Sequence, residues 1–235
     1  MKAVARVVAE LVDGRTVLRE LCSQAPLTLV PHRGRPGLVH LVSSATTPLG
    51  GDELELHLTA GPGATLTLAG VAASIVLPGH RPGVSRFTVH VTAAAGSTVE
   101  YLPEATVITA RAVHEAVFRA SLVQDARLTV RELLVLGREN EQAGRLVAET
   151  VVRRDGKPVL NQSLRIDDAA ASPAVLAGRR VLATELKITG EEPGEPVAHE
   201  WCSRVPLAAG GSLTTALAPD AVSARRLLDQ LDRSG

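Results

Sequence analysis

Residues 48–68 read PLGGDELELHLTAGPGATLTL. Leu54, Leu56 and Leu58 alternate strictly with Glu53, Glu55, His57 and Thr59, the period of an extended strand with one dry face and one wet face. Gly61-Pro62-Gly63 turns the chain, and Leu66 and Leu68 then alternate with Thr65 and Thr67 in a second strand. Gly50-Gly51-Asp52 stands ahead of both. Two glycines open backbone torsions closed to other residues, and a carboxylate follows at once. A chain organised around this stretch builds sheets.

The same pattern runs through the rest of the chain. Asp13-Gly14 separates β-like runs at 3–12 and 15–21, and Asp155-Gly156 separates 146–153 from 157–166. Asp-Gly between two such runs is the strongest short hairpin signal. Gly50-Gly51 also reads as a hairpin-like turn. Alternation returns at Phe87, Val89 and Val91 and again over 127–136. The total is roughly fourteen or more short strands, at the turn spacing of about 8–12 residues that marks sandwiches and barrels. Helix is confined to a turn at 174–177 and to residues 220–231, where Ala224, Leu227, Leu228 and Leu231 share a face. On its polar side Arg225 and Asp229 are spaced to pair at i,i+4. The predicted class is all-β: a β-helical or sandwich-like stack of many short strands with one or two short helices. No linker divides it, so residues 1–235 are read as one domain, with the amphipathic helix near 220–231 and a short tail.

Composition narrows the function. With 235 residues, 45% of them hydrophobic, the chain can bury a sizeable core without disulfides. Aromatics are only 2%, so the core must be Leu, Val and Ala, and platforms for stacking single-stranded nucleic acid are scarce. A net charge of zero gives no electrostatic grip on DNA or an anionic membrane. Cys22 and Cys202 are too few and too distant for a disulfide framework. Arg6 and Glu10 interrupt the first apolar run too soon for a signal-peptide core, and no apolar run reaches the ~18 residues of a membrane span. The expected location is cytoplasmic.

No nucleophile elbow, phosphate loop, dinucleotide fingerprint or paired-cysteine zinc motif is present. His199-Glu200-Trp201-Cys202 brings an imidazole, a carboxylate and a thiol close together. On a strand His199 and Trp201 would share one face, Glu200 and Cys202 the other. That is either part of a soft-metal site or the edge of a core with Trp201 packed inside. His32, His40, His57, His80, His90 and His114 are dispersed and read as surface or strand-edge residues. Asp52 is either a turn residue bonding nearby backbone N–H groups or a carboxylate held on a rigid turn for a partner or a cation.

One ordered set of residues carries a resemblance. Ser23-Gln24-Ala25-Pro26-Leu27, PLGGDELEL at 48–56, GPGATL at 61–66, VEYLPEATV at 99–107, Leu136-Gly137-Arg138, Gly144 and Asp155-Gly156 follow one another in that order. Together they resemble the urease accessory protein UreD family, called UreH in some lineages, over residues 5–217. The resemblance implies an all-β protein with a β-helical layout and a pair of helices that is not an enzyme. It implies a scaffold that binds UreF, recruits the GTPase UreG through UreF, and docks on apo-urease. Nickel(II) would pass through in transit, with no tightly bound cofactor. Gly51-Asp52 match the family's Gly-Asp, Leu102-Pro103 its Leu-Pro, and Gly137-Arg138 its Gly-Arg. By that match Gly50, Gly51, Pro103, Gly137 and Arg138 are candidate structural or interface residues, and Asp52 and Glu53 candidate carboxylates of the nickel path. The chain departs from the family at Thr46-Thr47, near the place of a usual Gly-Gly, and at Ala105, where an acid usually stands. Two other functions compete: a metal-dependent hydrolase using Asp52, His57 and His199, and a plain β-sandwich binding module.

Overall fold

The alternating runs pair mostly side by side in parallel. The computed structural model describes residues 1–80, 82–167, 173–191 and 194–232. In it β1 (Lys2–Val12), β5 (Glu53–Ala60), β8 (Ser85–Ala93), β11 (Val113–Leu122) and β13 (Arg145–Arg154) form one parallel ladder. Antiparallel β2 (Arg15–Cys22) and β14 (Lys157–Ile166) close its two edges, giving a seven-stranded sheet. A second ladder runs β4 (Leu38–Ser43), β6 (Thr65–Gly70), β9 (Thr98–Leu102), β12 (Arg127–Leu136), again parallel. Antiparallel β3 (Leu27–Pro31) closes one edge. On the other edge β15 (Val181–Ile188), β18 (Ser212–Ala218), β17 (Cys202–Pro206) and β16 (Val197–Ala198) follow in that order. Short β7 (Ser74–Val76) and β10 (Thr106–Ile108) make a parallel flank that joins the far end of β12. The chain therefore winds in coils, β5–β6–β7, then β8–β9–β10, then β11–β12, with each coil laid on the last.

Parallel stacking in register superimposes residues of the same kind. Ala5, Leu56, Val89 and Phe118 form one inward row of the seven-stranded sheet, and Val7, Leu58, Val91, Ala120 and Val152 the next. All are buried, and they face Leu66, Val99 and Leu128 of the second sheet in one continuous core. Both Asp-Gly turns are tight hairpins, as read from the sequence. Asp13 and Gly14 (φ 49° and 74°) and Asp155 and Gly156 (φ 49° and 76°) take the left-handed torsions such turns require.

Gly50-Gly51, read from sequence as a hairpin-like turn, is instead a crossing point between coils. A parallel ladder has no room for a hairpin there, because the chain must arrive from the flank. The amide of Gly50 donates to the Leu77 carbonyl (3.1 Å) and that of Gly51 to Val84 (3.2 Å), which stitches the turn to the loop before β8. A Cβ on Gly50 would stand 2.8 Å from the Gly79 nitrogen and 2.9 Å from the Gly83 oxygen, both backbone atoms.

The second sheet is capped at its antiparallel end by α2 (Ala221–Asp232), which buries Ala224, Leu228 and Leu231 against Val181, Cys202 and Ala216. Asp220 caps it, its Oδ1 accepting from the Ser223 amide at 2.8 Å. The expected Arg225–Asp229 pair gives way to tertiary partners: Arg225 pairs with Glu104, and Asp229 with Arg131 at 3.2 Å. Docking brings these partners within reach, whereas an i,i+4 pair adds only a few tenths of a kcal/mol, about 0.5 at most. α1 (Pro173–Leu176) supplies the expected helical turn. The tail at 233–235 lies outside the described residues. Cys22 is exposed, Cys202 buried, and both are free thiols. Among the described residues no helix is long and apolar enough to cross a membrane.

The crossing point gives a direct test. Gly50→Ala drives a methyl into backbone and is expected to cost about 1–3 kcal/mol in urea unfolding at unchanged m. Gly51→Ala meets nothing within 4 Å and keeps only the strain of φ +89°, expected at about 1 kcal/mol.

Candidate functional site

Asp52 is the last residue of the crossing turn, and its side chain points inward. Its Oδ1 accepts from the Met1 amino group at 2.7 Å. Its Oδ2 accepts from the Thr47 hydroxyl at 3.0 Å and the Leu49 amide at 2.8 Å. The side chain is 6% exposed. Burial works against its charge, but the hydrogen bonds from the Met1 ammonium, Leu49 and Thr47 outweigh it and hold the carboxyl below its ordinary range. Glu53, one residue on, takes the opposite face as strand alternation requires. It is exposed and pairs with Lys2 at 2.7 Å. The structure therefore sends the two acids to opposite sides of one sheet.

The other expected positions are placed as follows. Gly137 (φ +79°) sits so close to Glu141 that a Cβ would lie 2.3 Å from that carbonyl oxygen. Arg138 closes the same turn: its Nε donates to Glu141 Oε2 at 2.9 Å and a second nitrogen to Oε1 at 3.0 Å. That fork draws the Glu141 carboxyl down to about 2. Pro103 marks the bend between β9 and β10 and lines a cavity described below. His199-Glu200-Trp201-Cys202 does not run as a strand. His199 to Trp201 turn the chain between β16 and β17, and the His199 amide donates to the Cys202 carbonyl at 2.8 Å. Cys202, not Trp201, enters the core, and Trp201 lies under the Arg179 guanidinium at 3.8 Å. The tetrad brings no metal set together among the described residues.

Two cavities lie between the sheets and share Glu132 and Leu134 of β12 as lining. The first, about 150 Å³, reaches from Pro103 and Glu104 inward to Phe87, Tyr101 and His114. The second, about 200 Å³, is walled by Leu160, Leu164, Leu182 and Leu213, with Thr150, Gln162, Thr184 and Thr215 as its polar groups. Glu132 is half-buried, and no hydrogen bond or ion pair joins its carboxylate to another described residue. Burial alone pushes its carboxyl up from 4.5 to about 7. His114, read as a surface or strand-edge residue, is in fact buried, with Nδ1 2.9 Å from the Ser85 hydroxyl. Burial pushes it down to about 4, so it stays neutral at pH 7. A carboxyl poised between its two charge states and a neutral imidazole thus line one apolar cavity. Sequence reasoning passed over Glu132, although a signal exists: it stands at the parity of Leu128, Val130, Leu134 and Leu136, the one acid on the inward side of β12.

Both acids have consequences for stability. Asp52, lowered on folding, stabilises the fold above the ordinary carboxylate range and loses that contribution as pH falls through its folded value. Asp52→Asn is expected to cost about 2 kcal/mol at pH 7, with the gap narrowing in acid unfolding curves as pH falls below the ordinary carboxylate range. Glu132 is raised on folding, so its ionisation weakens the fold as pH rises from 4.5 towards 7. Glu132→Gln should match the native chain at pH 4 and exceed its stability by about 2 kcal/mol at pH 8.

Comparison with known proteins bears on what such a site serves. A family model described as UreD urease accessory protein matches residues 1–233. A Saccharopolyspora erythraea protein named urease accessory protein UreD 1 is 49% identical, covering 96% of this chain and 92% of that one. Proteins named urease accessory protein UreD from Streptomyces avermitilis and Parafrankia sp. are 37% and 36% identical. Each covers 98% of this chain, and the matches span 96% and 88% of those proteins.

Proposed function

This chain belongs to the UreD family of urease accessory proteins, and on that footing we propose that it is a non-enzymatic scaffold for inserting nickel into apo-urease. It binds UreF, meets the GTPase UreG through UreF, and holds that module against apo-urease in the cytoplasm. Nickel(II) released there then has a short path shielded from competing ligands. The chain makes and breaks no covalent bond in this scheme; it acts by geometry.

The observation that carries this function is Glu132 between two inter-sheet cavities, with no hydrogen-bond or ion-pair partner among the described residues. Imidazole, carboxylate and water are suitable ligands for nickel(II). A single carboxyl, half protonated near neutrality, exchanges its proton for a passing cation and gives it up again. A closed set of strong ligands would trap the ion instead. We place the path at Glu132 in preference to Asp52 and Glu53, whose oxygens already hold the Met1 amine and Lys2. Pro103 and Glu104 line the outer part of the first cavity, and Glu104 is tied to α2 through Arg225. Val71, 53% exposed, lines the same cavity and offers an apolar contact for a partner there.

The test is co-expression with the cognate urease subunits and accessory proteins, reading urease activity and nickel per active site. Omitting this chain should abolish both. Glu132→Gln should fold and lower nickel content about tenfold at limiting nickel, while Glu53→Gln leaves it unchanged. Full loading by Glu132→Gln would remove that residue from the path. Full loading without the chain would overturn the scaffold function itself.

A further inference from the structure

The outer face of the seven-stranded sheet holds a second group of metal-ligating side chains, unrelated to the cavities. β5 and β8 set His57 directly opposite His90 in register. Their rings stack with centroids 4.8 Å apart and planes 14° from parallel. Glu55, two residues before His57 and therefore on the same face, brings Oε2 within 3.3 Å of His57 Nε2. One ligand atom from each of the three lies within 4.8 Å of the other two. Glu55 is exposed and both imidazoles are half-buried, so an ion reaches them from solvent. Leu56, Leu58, Val89 and Val91, on the same two strands, point the other way into the core.

We propose that Glu55, His57 and His90 form a surface site for a divalent transition-metal ion of the imidazole-preferring class. Metal–ligand distances of about 2.0–2.2 Å place two ligand atoms on one ion no more than about 4.4 Å apart. Rotation of three accessible side chains closes the small remaining gap, while the parallel ladder keeps the backbone fixed. Two imidazoles and one carboxylate suit Zn²⁺ or Ni²⁺ and offer too few oxygens for Mg²⁺ or Ca²⁺. Three protein ligands leave the remaining coordination to water, so the ion exchanges readily. Arg6 lies beside His57 in β1 and Arg119 beside His90 in β11, in the same row. Their charges oppose the ion and hold affinity below that of a closed structural site. The site stands whether or not the chain inserts nickel into urease, because it uses none of the cavity residues.

The experiment is calorimetric titration of the purified full-length chain with Zn²⁺ alone and with Ni²⁺ alone, backed by the visible spectrum of the Co²⁺ adduct. The native chain and Glu132→Gln should both bind an equivalent at this site. His57→Gln/His90→Gln should lose that equivalent, or weaken it at least about tenfold, and lose the Co²⁺ ligand-field bands. Excess Mg²⁺ should not compete. If the double variant shows a lowered unfolding midpoint, His90→Gln alone serves, with the same loss expected. Undiminished binding by the histidine variants, or no binding by the native chain, would overturn the proposal.

Discussion

The structure depends on rows of side chains superimposed in register from coil to coil. In a parallel ladder each inward residue sits directly on its counterpart in the neighbouring strand, so one misplaced residue disturbs a whole row. Ala5–Leu56–Val89–Phe118 and Val7–Leu58–Val91–Ala120–Val152 show what satisfies that constraint: aliphatic side chains with few aromatics. Where an aromatic pair does occur, Tyr101 and Phe118 meet from opposite sheets with ring centroids 5.7 Å apart. The coils also have to pass one another closely at their corners. At Gly50 and Gly79 backbone lies against backbone with no space for a Cβ, Gly83 packs nearly as tightly beside them, and the buried Asp52 carboxylate fastens that corner to the start of β1.

Within this regular interior Glu132 is the exception. An acid at an inward position interrupts the packing of both sheets, and the cavities lie where its neighbours cannot fill the space. Such a group is costly to ionise and has no side-chain partner among the described residues, a combination associated with function more than with stability. The contrast with Glu185 is informative. Glu185 stands on the neighbouring β15, opposite Arg131 of β12 and on the outer side, where α2 covers the sheet, and there Arg131 donates to it at 2.6 Å. One strand pair therefore carries a neutralised acid under the helix and a bare one between the sheets.

The strand period and both Asp-Gly hairpins were legible in the sequence, because alternation and tight turns are local properties of a few adjacent residues. So was the apolar face of α2, and so, from an ordered set of turn residues, was the family resemblance. What the sequence could not show was which strands lie side by side. Parallel neighbours are separated by a whole coil, and nothing local marks Leu56 as the partner of Val89. Hence Gly50-Gly51 reads locally as a hairpin, and Arg225 as a partner of Asp229, whereas the bend between β9 and β10 supplies Glu104 to Arg225.

The sites divide along the same line. By itself the sequence determined which residues share a face of each strand: Glu55 with His57, and Glu132 with Leu134. Only the tertiary structure decided that Asp52 is consumed by the Met1 amine, that Glu132 faces cavities, and that His57 meets His90. The physical reason is that period two fixes a side chain's direction within its own strand, whereas its neighbours are set by coil-to-coil register across the sheet.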